Sequence, residues 1–162
     1  MTPMSVLELR ERTPLPLEVH VSGLCFRRLQ GAWSVLLQRL PGDQEFVQGC
    51  RDGCGGCLRA HESFQDGVSR IFRAELGLVV SFHGVHEFYE IPWKSGVIPG
   101  IRFLCLYETQ VGSALLSGDS GWFMKESVEQ MAGDEFIPGM KTKILDWFDE
   151  LQLRGCAGES GT

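Results

Sequence analysis

Four side chains that can bind a soft metal ion lie within twelve residues of the sequence. Cys50, Cys54 and Cys57 have the spacing C-x3-C-x2-C, and His61 follows them. Thiolate and imidazole ligands are those that hold Zn²⁺ in proteins. The gaps are tight for one loop, however, and no second pair of ligands follows elsewhere in the chain. Three reduced thiols in a glycine-rich loop are therefore the simpler interpretation, with a zinc site as the alternative.

The helix that is best defined by the sequence begins just after this cluster. Its apolar residues recur at i, i+4, i+7, i+8 and i+12, which is the spacing of one helical face. They are Phe64, Val68, Ile71, Phe72 and Leu76. Ser63 is suited to cap the first turn and Gly77 to end the last one. The sequence thus predicts an amphipathic helix between Ser63 and Gly77.

Segments rich in branched and aromatic residues are predicted to be strands. They lie at 17–26, 33–37, 78–82, 85–91 and 101–109, with loops at 41–56 and 92–100. Gln30-Gly31 reads as the turn of a hairpin between the first two strands. Two further helices are predicted at about 125–131 and 139–153. The order β-β-α-β-β-β-α-α predicts an α/β protein with a mixed sheet.

The sequence predicts one domain, at residues 17–153, between an N-terminal lead-in at 1–16 and a flexible tail at 154–162. A chain of about 150 residues buries roughly 70% of its unfolded surface, which is enough for one core. The N-terminus has no apolar stretch typical of a secretory signal. No run approaches the roughly 18 apolar residues of a membrane span. We therefore expect a cytoplasmic protein that does not enter a membrane.

The charge balance narrows the choice of partner. Fifteen Lys and Arg stand against 21 Asp and Glu, which gives a formal net charge of −6. A non-specific nucleic-acid binder needs a basic face, so we expect no nucleic-acid partner. An anionic small molecule is still compatible, because a bound cation can invert the local sign of the charge. The tryptophan-rich apolar residues are also compatible with a homodimer.

The segment from Gly55 to Leu78 resembles the Nudix box. That motif runs Gly, five residues, Glu, seven residues, Arg-Glu, an aliphatic residue, any residue, Glu-Glu, any residue, Gly and an aliphatic residue. Six residues match it at the same spacing, and the apolar Phe72 fits a seventh position. The six are Gly56, Glu62, Arg70, Glu75, Gly77 and Leu78. The resemblance covers about residues 17–153 and implies the Nudix fold, an α/β/α sandwich with a mixed sheet between helices.

The resemblance also implies a chemistry. Nudix enzymes split a diphosphate linked to another moiety, and divalent cations, Mg²⁺ or Mn²⁺, bridge the phosphate oxygens. In this chain Ile71 and Ala74 replace two of the three helix carboxylates of the motif. Glu75 and Glu62 are left as the implied metal ligands. Glu75 and Arg70 are the implied catalytic residues, with Arg70 holding the loop by hydrogen bonds.

Three further residues are assigned to the substrate by the same layout. Trp93 and Lys94 flank the implied pocket, where they could stack on and pair with an aromatic, anionic ligand. Glu108, at a strand end, could replace a missing carboxylate. Trp93 also has a simpler interpretation as a core or interface residue.

These observations leave three functional hypotheses. The first is a divergent Nudix-type hydrolase that cleaves a nucleoside- or isoprenoid-linked diphosphate with a divalent metal. The second is a catalytically silent binding domain that keeps the pocket without the metal carboxylates. The third is a metal-free isomerase or cyclase acting on an apolar metabolite, because loss of the carboxylates makes the pocket more hydrophobic.

Overall fold

The computed structural model describes residues 18–39, 50–93, 96–112 and 120–159, without the side chains of Trp93 and of 155–159. The predicted lead-in and most of the predicted loop at 41–56 lie outside these ranges. The strands are β1 (His20–Leu29), β2 (Ala32–Arg39), β3 (Arg51–Asp52), β4 (Cys54–Cys57), β5 (Leu78–Trp93), β6 (Gly96–Gln110) and β7 (Gly121–Met124). The helices are α1 (Phe64–Leu76), α2 (Lys125–Gln130) and α3 (Met140–Glu159), with a 3-10 turn at Gly133–Glu135.

The strands form one seven-stranded sheet with the order β3-β2-β1-β6-β5, in which β4 pairs with β1 and β7 with β2. The predicted α/β fold with a mixed sheet is therefore confirmed. No helix in the described part of the chain is both long and apolar enough to cross a membrane. The chain divides into two compact units, each of which is built around its own set of strands and helices.

The first unit contains the start of β1, then β4, α1, β5 and β6. Helix α1 has the ends that the sequence predicts. The Ser63 hydroxyl accepts a hydrogen bond from the Asp66 amide at 3.1 Å. Gly77 adopts a φ of 63°, and its amide donates to the Arg73 carbonyl. The predicted face of α1 is buried at Val68, Ile71, Phe72 and Leu76, while Phe64 is half-buried.

The strand β4 was predicted as part of a loop. It pairs antiparallel with the start of β1, with His20 opposite Cys57 and Ser22 opposite Gly55. Glycine allows this close pairing, because a Cβ atom at Gly55 would lie 2.6 Å from the Cβ atom of Ser22. A glycine-rich segment therefore forms a strand where it lies against a neighbouring strand, although its composition favours a loop.

The long hairpin of β5 and β6 also differs from the prediction. Two strands replace the predicted three, and their pairing reaches Trp93 and Gly96, so the loop predicted at 92–100 is wrong. Gly84 has a φ of 81° and lies at a shift in the pairing register. The sequence predicts a boundary between two strands at this position. Interstrand hydrogen bonding on both sides of this irregularity keeps the strand continuous.

The second unit contains the rest of β1, then β2, β3, β7, α2 and α3. The predicted hairpin of β1 and β2 turns at Gln30 and Gly31, whose φ angles are 52° and 80°. Positive φ at both residues matches the twist of paired strands. Helix α3 packs Phe148 edge-on against Phe26, with ring centroids 5.1 Å apart. It continues to Glu159, beyond the predicted start of the tail.

Candidate functional site

A hydrogen-bonded clasp joins the segment before α1 to the helix itself. Arg70 donates from Nε to Glu62 Oε2 at 2.7 Å and from an Nη atom to Glu62 Oε1 at 3.0 Å. The same Nη atom donates to the Cys57 carbonyl at 3.0 Å. The Arg59 amide donates to Glu62 Oε1 at 3.0 Å. Both oxygens of Glu62 are therefore occupied within the protein, in the two-pronged geometry that makes arginine–carboxylate pairs strong.

The electrostatics of the clasp favour its charged form. The Arg70 hydrogen bond lowers the pKa of Glu62, and this effect outweighs the opposing effect of burial. In turn, the hydrogen bond to Glu62 raises the pKa of Arg70. Glu62 is thus an ionised carboxylate that accepts three hydrogen bonds within the protein, so a metal ion would compete with Arg70 and the Arg59 amide for its oxygens.

Glu75 lies at the other end of α1, and its side chain is exposed. Its Oε2 atom accepts a hydrogen bond from the Cys54 thiol, with sulfur and oxygen 3.5 Å apart. Cys54 is buried, so this contact ties β4 to the last turn of α1. Glu75 is close enough to Arg70 to contribute to the raised pKa of that guanidinium. The clasp and Glu75 therefore belong to one charged surface of α1.

The two positions where the Nudix motif has its other carboxylates hold no oxygen ligand. Ile71 is 4% exposed, and its Cδ1 atom would lie 3.2 Å from a Cβ atom placed at Gly56. It thus fills the space between α1 and β4 with hydrocarbon. Ala74 is exposed and has no polar atom in its side chain. Replacing a carboxylate with a packed isoleucine removes a metal ligand and also dries the position where it would act.

The residues present do not fit a divalent metal site of the Nudix kind. Mg²⁺ requires several oxygen ligands in near-octahedral geometry. In the described ranges no group of three or more His, Cys, Asp or Glu side chains is arranged to hold a metal ion. This also removes the support for zinc bound by Cys50, Cys54, Cys57 and His61. Cys54 is buried and Cys57 is exposed, as expected for two residues that face opposite sides of β4.

The three residues assigned to the substrate are not brought into this cluster by any described contact. The Trp93 side chain and Lys94 lie outside the described residues. Glu108 is exposed on β6, between Tyr107, which pairs with Val80, and Thr109, which pairs with Val79. It therefore occupies the extra position of a β-bulge, and such a position re-aims a side chain.

The structure shows a polar cluster in the first unit that the sequence analysis did not identify. His20 Nδ1 and the Tyr89 hydroxyl are 2.5 Å apart, and that hydroxyl donates to Ser22 Oγ at 3.1 Å. The Tyr89 ring lies against Gly100, where a Cβ atom would come within 2.3 Å of it. The face that carries this cluster is opposite to the face that packs on α1, because Gly55 contacts Ser22 whereas Gly56 contacts Ile71.

A partly buried ion pair completes the cluster. Arg102 is 7% exposed, pairs with Glu87 on the neighbouring strand, and places its guanidinium 4.5 Å from the centre of the Tyr89 ring. Burial and, second, the charge of Arg102 lower the pKa of His20 to about 4. His20 is therefore neutral at pH 7. The only sequence signal for this cluster is the alternation of polar residues along β5, which also fits a half-exposed strand.

Among known proteins, similarity to this chain is found in solved structures. No family model matches the sequence, and no curated protein matches it. Solved structures do match. The Ap4A hydrolase of C. elegans has a TM-score of 0.60 at 16% identity, and the match covers 85% of this chain and 99% of that one. A NUDIX family hydrolase from Clostridium perfringens has a TM-score of 0.64 at 12% identity, with coverage of 85% and 99%.

A third solved structure is a NUDIX domain with a ligand. The NUDIX domain of Shewanella oneidensis NrtR, complexed with ADP ribose, has a TM-score of 0.57 at 18% identity. The match covers 93% of this chain and 99% of that one. Structural similarity at identities this low shows the fold alone. The activity has to be argued from the residues of the site. Together with the spacing of the box residues along β4 and α1, these likenesses show that the chain has the Nudix fold.

Proposed function

We propose that this protein is a Nudix-fold domain that binds a small molecule containing a diphosphate and does not hydrolyse it through the box helix. The observation that carries the proposal is the burial of Ile71 against Gly56. The fold supports a small-molecule ligand, since one of the similar structures is complexed with ADP ribose. Helix α1 supports the absence of hydrolysis, because Ile71 and Ala74 supply no metal ligand.

The physical argument concerns charge. Cleavage of a phosphoanhydride requires neutralisation of the negative charge on the phosphate oxygens, which metal ions or cationic side chains supply. Of the carboxylates that could hold such a metal, Glu62 is occupied by Arg70 and by the Arg59 amide. Glu75 is on an exposed helix end, where it accepts a hydrogen bond from the Cys54 thiol and has neither of the other two helix carboxylates of the motif beside it. One carboxylate in water binds a divalent ion only weakly, because water competes for every remaining coordination position.

A reversion experiment tests the proposal. ADP ribose and diadenosine tetraphosphate serve as probes, and the I71E/A74E double variant restores both carboxylates. We expect calorimetry to show that the wild-type protein binds at least one probe, and product analysis to show no turnover with Mg²⁺. The double variant should gain Mg²⁺-dependent turnover. Wild-type turnover at a rate typical of enzymes, above about 1 per second, would contradict the proposal.

A hydrolase that depends on Glu75 is the second candidate. It is favoured by one observation, namely that Glu75 keeps an exposed carboxylate at its motif position, next to an intact clasp. Glu75→Gln distinguishes the two candidates. Turnover by the wild type that falls at least about a hundredfold in Glu75→Gln, with the melting temperature unchanged, would establish the hydrolase and rule out the binding domain. Glu126→Gln is the matched control, because it makes the same change at an exposed position of another helix.

A further inference from the structure

A cationic and apolar surface lies in the second unit and includes none of the residues of the candidate site. Arg27 on β1, Ser34 on β2 and Met124 on β7 are direct neighbours across three antiparallel strands. Paired residues in such a row lie on the same face of the sheet. Leu29 and Trp122 lie two positions along β1 and β7, so they share that face as well. We call these five residues the Arg27 surface.

The Arg27 guanidinium is stacked on tryptophan. Its central carbon lies 4.2 Å from the centre of the Trp122 ring. To reach β7 from β1, the arginine has to cross β2 above Ser34, whose side chain is small and 8% exposed. A guanidinium held flat against an indole presents its remaining N–H groups in one plane, which is the geometry that pairs with a carboxylate or a phosphate.

The positive charge of Arg27 is not balanced within the described part of the chain. No carboxylate there forms an ion pair with this half-buried side chain. Its Nε atom is buried and has no hydrogen-bond acceptor. Its charge also opposes the effect of burial on the nearby Cys25 thiol, whose pKa burial raises to about 12. An uncompensated cation is costly in a protein, and an anion bound to the accessible part of the guanidinium accounts for it.

Apolar side chains border the same charge. Leu29 is 55% exposed and Met124 is 48% exposed, although both are large hydrophobic residues. A single exposed apolar residue needs no explanation, but two on one face beside a stacked arginine form a patch that is both apolar and cationic. The surface therefore offers a planar cation for an anionic group and hydrocarbon for the body attached to it.

We propose that the Arg27 surface is a binding site for a small amphipathic anion, in which a carboxylate or phosphate pairs with Arg27 and an apolar or aromatic body lies on Leu29 and Met124. The site is independent of the proposed function, because none of its residues belongs to α1 or to the clasp. The site recognises a ligand that has a negative group next to an apolar body. That negative group is a carboxylate or a phosphate.

A titration followed by NMR tests the proposal on the full chain. The indole N–H of Trp122 and the Nε–H of Arg27 report on the site, and Trp122→Phe and Arg27→Lys assign their signals. Phenylacetate and phenyl phosphate are the two anionic probes, with phenethylammonium as the matched cation and inorganic phosphate as the anion without an apolar body. We expect saturable shifts with at least one aromatic anion and none with the cation.

Variants separate binding from a structural role. Arg27→Gln should weaken binding of the preferred probe by about tenfold or more, since it removes the charged donor. Arg28→Gln makes the same change at the next residue, on the opposite face of β1, and should leave binding unchanged. Absence of any saturable shift in the wild type would overturn the proposal, as would equal loss in both variants. A lower melting temperature in Arg27→Gln with no wild-type binding would assign Arg27 a structural role only.

Discussion

The ionisation of His20 links one side chain to the stability of the first unit. Burial and the charge of Arg102 lower the pKa of His20 from 6.5 to about 4. The unfolded chain therefore binds a proton at His20 at a higher pH than the folded chain does. Stability from this residue is fully present above about pH 6.5 and is lost as the pH falls from 6.5 toward 4.

His20→Gln should remove this pH dependence. Each pKa unit corresponds to about 1.36 kcal/mol, so the wild type should lose up to about 3 kcal/mol of unfolding free energy across that window. The variant should lose that much less over the same range, because glutamine does not titrate. Urea unfolding at pH 7, 6, 5 and 4 measures both slopes. Equal slopes in the two proteins would show that burial and Arg102 do not lower the pKa of His20.

Glu62 is an acid whereas His20 is a base, but for both the pKa is lower in the folded chain, so both stabilise the fold less as the pH falls. Its hydrogen bond with Arg70 lowers its pKa, so the stabilisation is present above the ordinary glutamate pKa and disappears as the pH falls through the folded value. We expect Glu62→Gln to lower the unfolding free energy by about 1 kcal/mol at pH 7, allowing for partial solvent screening. The deficit should begin to shrink only as the pH falls below about 4.5, the ordinary pKa of glutamate. Asp66→Asn, a nearby exposed carboxylate of α1, is the control.

Residue types alone predict part of the site. The spacing of Glu62, Arg70 and Glu75 can be read from the sequence because a local motif places all three on one loop and helix. The contact between His20 and Tyr89 spans 69 positions. No local spacing encodes a contact of that range, since it depends on which strands become neighbours. The low pKa of His20, which follows from that burial, is equally invisible in the sequence.

At the scale of elements, α1 was predictable because its signals are local. An apolar face, a serine at the start and a glycine at the end are all consecutive features of the chain. The hairpin of β5 and β6 was less predictable, because Gly84 and Pro92 resemble strand boundaries in the sequence. Pairing with β6 carries the strand past both of them. The ends of strands thus depend on a partner that the sequence pattern does not identify.

The end of α1 allows a direct test of its glycine. Gly77 has a φ of 63°, a conformation that costs other L-residues about 1–2 kcal/mol. Gly77→Ala should therefore lower the unfolding free energy by about that amount. Gly77→Asn should cost less, since asparagine tolerates this conformation better than alanine does. Chemical denaturation of the two variants measures the difference, and an alanine variant as stable as the asparagine variant would contradict the assignment.

Across the whole molecule, the cysteines differ widely in access to solvent. Cys57 is exposed, whereas Cys25, Cys54 and Cys105 are buried. Burial also raises the pKa of Cys25 to about 12, which leaves almost no thiolate at pH 8. The fold thus divides the cluster that looks uniform in the sequence into the exposed Cys57, the half-buried Cys50 and the buried Cys54.

Alkylation of the folded protein with iodoacetamide at pH 8 should modify Cys57 before the buried cysteines. Peptide mass mapping over time identifies the order, and unfolding in urea should make all the rates similar. Cys57→Ser should remove the fast modification at that residue and leave the slow rates at Cys25, Cys54 and Cys105 unchanged. Early modification of Cys25 or Cys105 would mean that the interior opens on the time scale of the reaction.

The neighbouring glycines of β4 have a consequence for how such chains are recognised. Gly55 makes room for Ser22 and Gly56 for Ile71, so each is required by the packing on its own side of the strand. Glu62 and Arg70 are required by the clasp. The residues by which this sequence resembles the Nudix box are therefore residues that stabilise the fold. Two of the three helix carboxylates of the motif are replaced here, by Ile71 and Ala74, so a pattern search over this segment identifies an architecture and carries no information about turnover.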